Sequence, residues 1–236
     1  MEAMELIASS GAWIALADIM LVNIVLSGDN AVVIALAAHS LPLKQQKPAI
    51  ILGSVVAVFM RAILTIFALK LLVLPYLKIA GGILLFYIAV KLMLHQHKTS
   101  GVASYPTLGT AVRTILLADL VMSLDNVLGV AAAAKGNVML LLAGLAMSVP
   151  LIAFGSTLVL KVMMKYPIVI LLGTALLGYL GGEMLFSDTA IRIWVQTNLP
   201  NSDPAIGSTE LHMSMPGVIS ALAAVLLGSW FAKRKM

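Results

Sequence analysis

Leu26-Ser27-Gly28-Asp29-Asn30-Ala31-Val32-Val33-Ile34-Ala35 decides the fold. It sets a carboxylate beside a carboxamide inside an apolar run from Trp13 to Ala38. About 20 apolar residues are enough to cross a bilayer. A charged side chain at that depth is costly, and its presence points to function. A second stretch, Ala118-Asp119-Leu120-Val121-Met122-Ser123-Leu124-Asp125-Asn126-Val127, has the same character. Asp125 follows Asp29 by 96 positions, and Ser123 and Asn126 follow Ser27 and Asn30 at the same offset.

The surrounding composition fits a membrane protein. The 236 residues are 61% hydrophobic and 11% charged, with a mean hydropathy of +1.05. Soluble domains carry about 25% charged residues. The formal charge of +5 is scattered between hydrophobic runs. It forms no basic face, so nucleic acid is not an expected partner, whereas the lipid bilayer is. With no cysteine, a thiolate metal site is excluded, leaving oxygen and imidazole as ligands. Met1 to Glu5 holds two acids and no base, unlike a signal-peptide start, so the first apolar run reads as a retained helix.

Working outward, the pattern predicts an all-α transmembrane bundle of seven helices in a single membrane domain, 1–236. The helices are expected at Trp13–Ala38, Ala49–Leu72, Tyr76–Leu94, Leu108–Ala134, Val138–Val162, Ile168–Phe186 and Pro216–Phe231. Residues 188–215 form the longest connection, with a short surface helix near Ile191–Val195. Lys44, Lys47, Lys91, Lys98, Arg113, Lys161, Lys165, Lys233, Arg234 and Lys235 fall on one side of such a bundle. Lys70, Lys78, Lys135 and Arg192 fall on the other, and Arg61 lies within the second helix. The basic side marks the cytoplasm, which predicts the N-terminus outside and the C-terminus inside. The expected location is the bacterial cytoplasmic (inner) membrane.

The repeat extends beyond the motifs. Gly53 matches Gly144, Pro75 matches Pro167, Gly81 matches Gly173 and Tyr87 matches Tyr179, at offsets of 91 or 92. Residues 13–94 and 108–186 are thus read as two three-helix repeats, followed by the seventh helix at 216–231. An odd number of helices per repeat inverts the second half, a plan used by secondary transporters. Gly81-Gly82 and Gly181-Gly182 are expected to be close helix contacts.

At about 100° per residue, Asn23, Ser27 and Asn30 share one face of the first helix. Asp119, Ser123 and Asn126 share the equivalent face of the fourth. Asp29 and Asp125 lie next to their asparagines, and Asp18 lies on nearly the same face as Asp29. Carboxylate, carboxamide and hydroxyl oxygens are the ligands of hard divalent cations. The candidate ligands are Asp29, Asn30, Asp119, Asp125 and Asn126, with Asp18, Asn23, Ser27, Ser123 and Glu183 as a secondary set. Competing structural roles exist. The asparagines can join helices, Arg61 or Lys91 can pair with Asp29 or Asp125, and Glu183 can pair with a base or carry a proton. Asp188 is expected at the outer boundary, solvated. His39, His95, His97 and His212 fall in loops or near helix ends. With no hydrolase or metalloprotease spacing visible, an enzyme is not expected, nor is a prosthetic group.

At these motifs the chain resembles the TerC family of integral membrane proteins, and within it the short YjbE-like branch. The resemblance covers helices one to six. It implies an association with manganese efflux, and historically with tellurite resistance. It also places Asp29, Asn30, Asp119, Asp125 and Asn126 on the family's intramembrane acidic positions. Leu124 stands where the first motif has Gly28. The expected function is export of a divalent cation, Mn2+ first, by alternating access. Ligand type alone leaves calcium, magnesium and ferrous iron open. The alternatives are a membrane accessory factor for assembly or metallation of exported proteins, docking through 188–215, and an amino-acid exporter. A homo-oligomer is compatible with the sequence.

Overall fold

The computed structural model describes residues 20–21, 27–71, 74–96, 107–133, 138–198 and 214–234. The described chain is all-helical. Its helices are α1 (Gly28–His39), α2 (Leu43–Leu71), α3 (Leu77–Gln96), α4 (Leu108–Ala133), α5 (Val138–Lys165), α6 (Ile168–Phe186), α7 (Arg192–Asn198) and α8 (Met215–Arg234). Seven of them correspond to the seven expected from sequence, and α7 is the short surface helix. The first helix is described mainly from Gly28, so Asp18 and Asn23 lie outside the described residues, as does 199–213 of the long connection.

Among the described residues, five helices, α2, α3, α5, α6 and α8, are long and apolar enough to cross a membrane. The remaining long ones, α1 and α4, carry the two motifs. α2 starts six residues before the expected Ala49, running through Pro48. Proline breaks helices because its ring clashes and its N–H is missing. Here it falls early in the helix, at an exposed position.

The polarity of the bundle suits lipid. Phe59, Phe154, Ile219 and Leu226 project from α2, α5 and α8 as exposed apolar side chains. Arg61, Asp119, Ser27 and Ser123 are buried at its centre. α1 is buried on almost every face, from Asn30 through Ala38, and packs against α2, α4, α5 and α6. α6 packs against both α3 and α8, which also touch each other. Glycines let these helices approach. A Cβ at Gly82 would sit 2.5 Å from the Gly181 carbonyl oxygen, and one at Gly182 would sit 2.5 Å from the Ser220 Cβ. The glycine pairs are therefore close contacts, as their positions in apolar runs implied: α3 crosses α6 backbone to backbone, and α6 meets α8 just beside it.

The two ends of the bundle differ. Ala37, Ser40, Lys91, Thr110 and Thr114 share a small cavity, which brings the C-termini of α1 and α3 to the N-terminus of α4. Lys44, Lys47, Arg113 and Lys165 belong to helix ends on this side. At the opposite end, hydrogen bonds from the start of α3 to Asp188 join it to the end of α6. The Ser214 N–H donates to the Tyr179 hydroxyl at 3.1 Å, which brings the start of α8 to the same end.

Candidate functional site

The two motifs meet at Arg61. Its side chain is only 1% exposed and extends from α2 between α1 and α4. Nη2 donates to Asp119 Oδ1 at 2.6 Å. Nε donates to Ser123 Oγ at 3.0 Å, and Nη1 donates to Ser27 Oγ. Ser123 in turn donates to Asp119 Oδ2 at 3.3 Å. The guanidinium thus takes one serine from each motif, and both oxygens of Asp119 accept bonds. Such a pair persists out of water because each charge is matched and hydrogen-bonded. Asp119 was expected among the metal ligands. In this structure it is the counter-ion of Arg61, a role the sequence offered instead to Asp29 or Asp125.

Next to this sealed pair lies a cavity of about 290 Å³. It is lined by Asp29 of α1, Asn126 of α4, Glu183 of α6 and Lys78 of α3, together with Met122, Leu180, Met184 and Ser187. The motifs therefore contribute one oxygen-bearing side chain each to one space, and α6 adds a carboxylate. On α4, Asp119, Ser123 and Asn126 follow at helical spacing, so the side chain one turn beyond the sealed pair opens onto the cavity. Asp29 Oδ1 also accepts the Asn30 N–H at 2.8 Å. The Asn30 side chain is 2% exposed, and neither its Oδ1 nor its Nδ2 has a partner among the described residues. A buried carboxamide left unsatisfied is costly, which makes it an available oxygen donor.

One end of the cavity is fastened by Asp188. The sequence placed this residue in solvent at the outer boundary, but its side chain is fully buried. Oδ1 accepts the N–H groups of Tyr76 and Ala190 at 3.0 and 2.8 Å. Oδ2 accepts those of Lys78 and Ile79 at 3.0 and 3.3 Å. The first-turn donors of a helix have no partners within it, and the positive end of its dipole favours an anion. Asp188 thus caps α3 from more than one hundred residues away. Burial pushes its carboxyl up, but the bonds from Ala190, Tyr76, Ile79 and Lys78 outweigh that and hold it below the usual carboxylate range. Tyr76 is left-handed, with φ of 66°, a conformation costing a bulky residue about 1–3 kcal/mol. The Asp188 bond to its N–H holds it there.

The expected residues divide accordingly. Asp29, Asn126 and Glu183 share the cavity. Ser27, Ser123 and Asp119 bind Arg61. Asp125 lies on α4, its side chain outside the described set. Among the described residues, no three histidine, aspartate or glutamate side chains converge as a metal-holding group. Lys78 was assigned to the outer side of the bundle, and sequence gave no sign that it lines the cavity. A motif cannot reveal that, because Glu183 of α6 and Lys78 at the start of α3 are over one hundred positions apart.

Comparison with known proteins agrees with the motifs. The model of the integral membrane protein TerC family matches residues 8–236. An uncharacterized membrane protein, YjbE, from Bacillus subtilis (strain 168) is 45% identical over 193 residues, which cover 79% of this chain and 88% of the relative. No solved structure matches. With the family model spanning both acidic motifs and every described helix, the chain belongs to the TerC family of integral membrane proteins.

Proposed function

We propose that this multi-pass membrane protein exports a divalent metal cation, Mn2+ first, by alternating access. The observation that carries the reading is the shared cavity: Asp29 from one motif, Asn126 from the other, and Glu183 from α6. Two carboxylates facing one space repel each other unless a cation lies between them. Carboxylate and carboxamide oxygens suit a hard divalent ion. Asn30 and Asp125 lie beside the cavity residues in sequence and complete the proposed ligand set. Asp119 serves in this conformation as the partner of Arg61.

The packing supports an inverted repeat. α2 lies on α4 as α5 lies on α1, and α3 meets α6. Gly81 of α3 closes on Val121 of α4, while its repeat mate Gly173 of α6 closes on Val32 and Leu36 of α1. Exchanging the halves exchanges the partners, which is how a two-fold repeat would pack. With the basic end of the bundle in the cytoplasm, the N-terminus lies outside and the cavity is nearer the outer face. In this reading the described state belongs to the release side of an export cycle.

The test is Mn2+ uptake into inside-out vesicles containing the purified full-length chain, wild type beside Asp29→Asn and Asp125→Asn. Uptake that either substitution abolishes, and that persists in excess Mg2+, supports a selective exporter. Equal uptake by all three sinks the site. No uptake by folded wild type would shift the reading to an accessory factor for exported proteins, with 188–215 as its docking segment.

A further inference from the structure

Two hydroxyls mark the same register in the two halves of the chain. Thr65 Oγ1 of α2 donates to the Arg61 carbonyl at 2.8 Å, and Ser156 Oγ of α5 donates to the Ile152 carbonyl at 2.8 Å. Thr65 and Ser156 are both buried. Arg61 and Thr65 precede Ile152 and Ser156 by 91 positions, the offset that relates Gly53 to Gly144. Ile152 therefore stands on α5 where Arg61 stands on α2, and α5 packs on α1 as α2 packs on α4. On the motif helices, Asn23 stands 96 positions before Asp119. Arg61 bonds to Asp119 and Ser123 across the two halves, whereas the matching positions, Ile152 and Asn23, carry no charge. The ion pair also has a definite place. α4 begins at the end that holds Lys91 and Thr110, and it reaches Asp119 and Ser123 before Asn126, which lines the cavity. The pair thus closes the bundle between the cavity and the Lys91 end. On the other side the cavity reaches the surface, since Glu183 on its wall is exposed.

We infer that the Arg61–Asp119 pair is a one-sided lock, which holds the empty protein with its cavity open at the Asp188 end and closed toward the Lys91 end. The inference rests on the transport reading above and assigns the resting conformation of that same carrier. Alternating access between inverted repeats exchanges the conformations of the two halves. Opening the Lys91 end must part Arg61, in the first half, from Asp119 and Ser123, in the second. Separating a buried pair is costly because each charge loses its partner. The exchanged state sets Ile152 where the lock needs a guanidinium, and Asn23 where it needs a carboxylate, so it gains no equivalent bonds. Two states of one bundle are populated unequally when an interaction belongs to only one of them. A pair that served only to hold the helices together would persist in both states and leave their populations unchanged, which separates the two roles.

The chain has no cysteine, so one introduced cysteine reports one position. Leu180→Cys lies on the cavity wall, and Ala37→Cys is buried near the Lys91 end. The experiment measures the rate at which a maleimide labels each of them in the purified full-length chain without metal. It does so with the pair intact and in the Arg61→Met, Asp119→Leu double variant. With the pair intact, Leu180→Cys should label about tenfold faster than Ala37→Cys. In the double variant the rate should fall at Leu180→Cys and rise at Ala37→Cys. Unchanged rates in the folded double variant overturn the inference, as does a rise at both positions, which marks a loosened bundle. Comparable rates at the two positions with the pair intact overturn it without any change to the pair. Mn2+ flux of the native chain in proteoliposomes reads the transport proposal separately. Flux alongside unchanged labelling overturns the lock alone, and no flux from the folded native chain overturns the reading on which the lock rests.

Discussion

Arg61 on α2 and Asp119 on α4 form a buried ion pair at 2.6 Å. The same guanidinium binds Ser27 and Ser123, the aligned serines of the two motifs. One side chain therefore fixes how the two halves meet beneath the cavity. Neither partner has water to fall back on, so removing one leaves a bare charge, at a cost of about 3–5 kcal/mol. Arg61→Met and Asp119→Leu should each lower the melting temperature in detergent strongly. The double variant should lose clearly less than the sum, because it leaves no orphaned charge. Additive losses would show that the pair is not a coupled unit.

Asp188 gives a stability signature in pH. Its folded carboxyl lies below the usual range, so the unfolded chain takes up a proton first as pH falls. The stabilisation is complete above the unfolded value of about 3.9 and is lost as pH drops through the lower folded value. Asp188→Asn removes a carboxylate that accepts four N–H bonds and puts an amide donor against some of them. Melts of wild type and Asp188→Asn should therefore differ most at neutral pH, and the gap should narrow below about pH 4. A gap that stays constant down to pH 3 would mean that the carboxylate charge is not what holds α3.

Glycine substitutions should separate tight crossings from open positions. At Gly82 a methyl group would meet the Gly181 carbonyl oxygen at 2.5 Å, and backbone cannot step aside as a side chain can. Gly82→Ala should destabilise by about 1–3 kcal/mol, the usual cost of overpacking. Gly109 on α4 has nothing within 4 Å of that position. Gly109→Ala should be neutral or stabilise by up to about 1 kcal/mol through helix propensity. Thermal melts of the two variants side by side decide it. Equal behaviour would argue against the close α3–α6 crossing.

Much of this was legible before any coordinates. Long apolar runs divided by prolines reveal helices, because lipid leaves the backbone no other way to satisfy its hydrogen bonds. The glycine pairs marked close packing for the same local reason. The motif residues could be recognised because polar groups stand out in such runs. What they bind could not. Arg61 pairs with Asp119 through the way α2 packs on α4, and no spacing encodes that packing. Asp188 looked solvated because it follows a helix end by two residues. Its partners belong to α3, and their donors are backbone groups that every residue type shares. Lys78 read only as an outer-side charge for the same reason: its place in the cavity depends on how α3 is fastened to the end of α6.

Glu183 offers the sharpest test of the cavity itself. The sequence left it open between pairing with a base and carrying a proton, yet it lines the space between the motifs. Glu183→Gln keeps the shape and one oxygen while removing a charge. If the cavity holds the cargo, Mn2+ affinity should fall at least tenfold, equivalent to about 1.4 kcal/mol, with the melting temperature little changed. The opposite shift is expected for Lys78→Gln, since removing a positive charge from the same space favours a cation. Calorimetric titration of both variants thus reads one electrostatic site in two directions. Shifts of the same sign, or none, would place the cation elsewhere in the bundle.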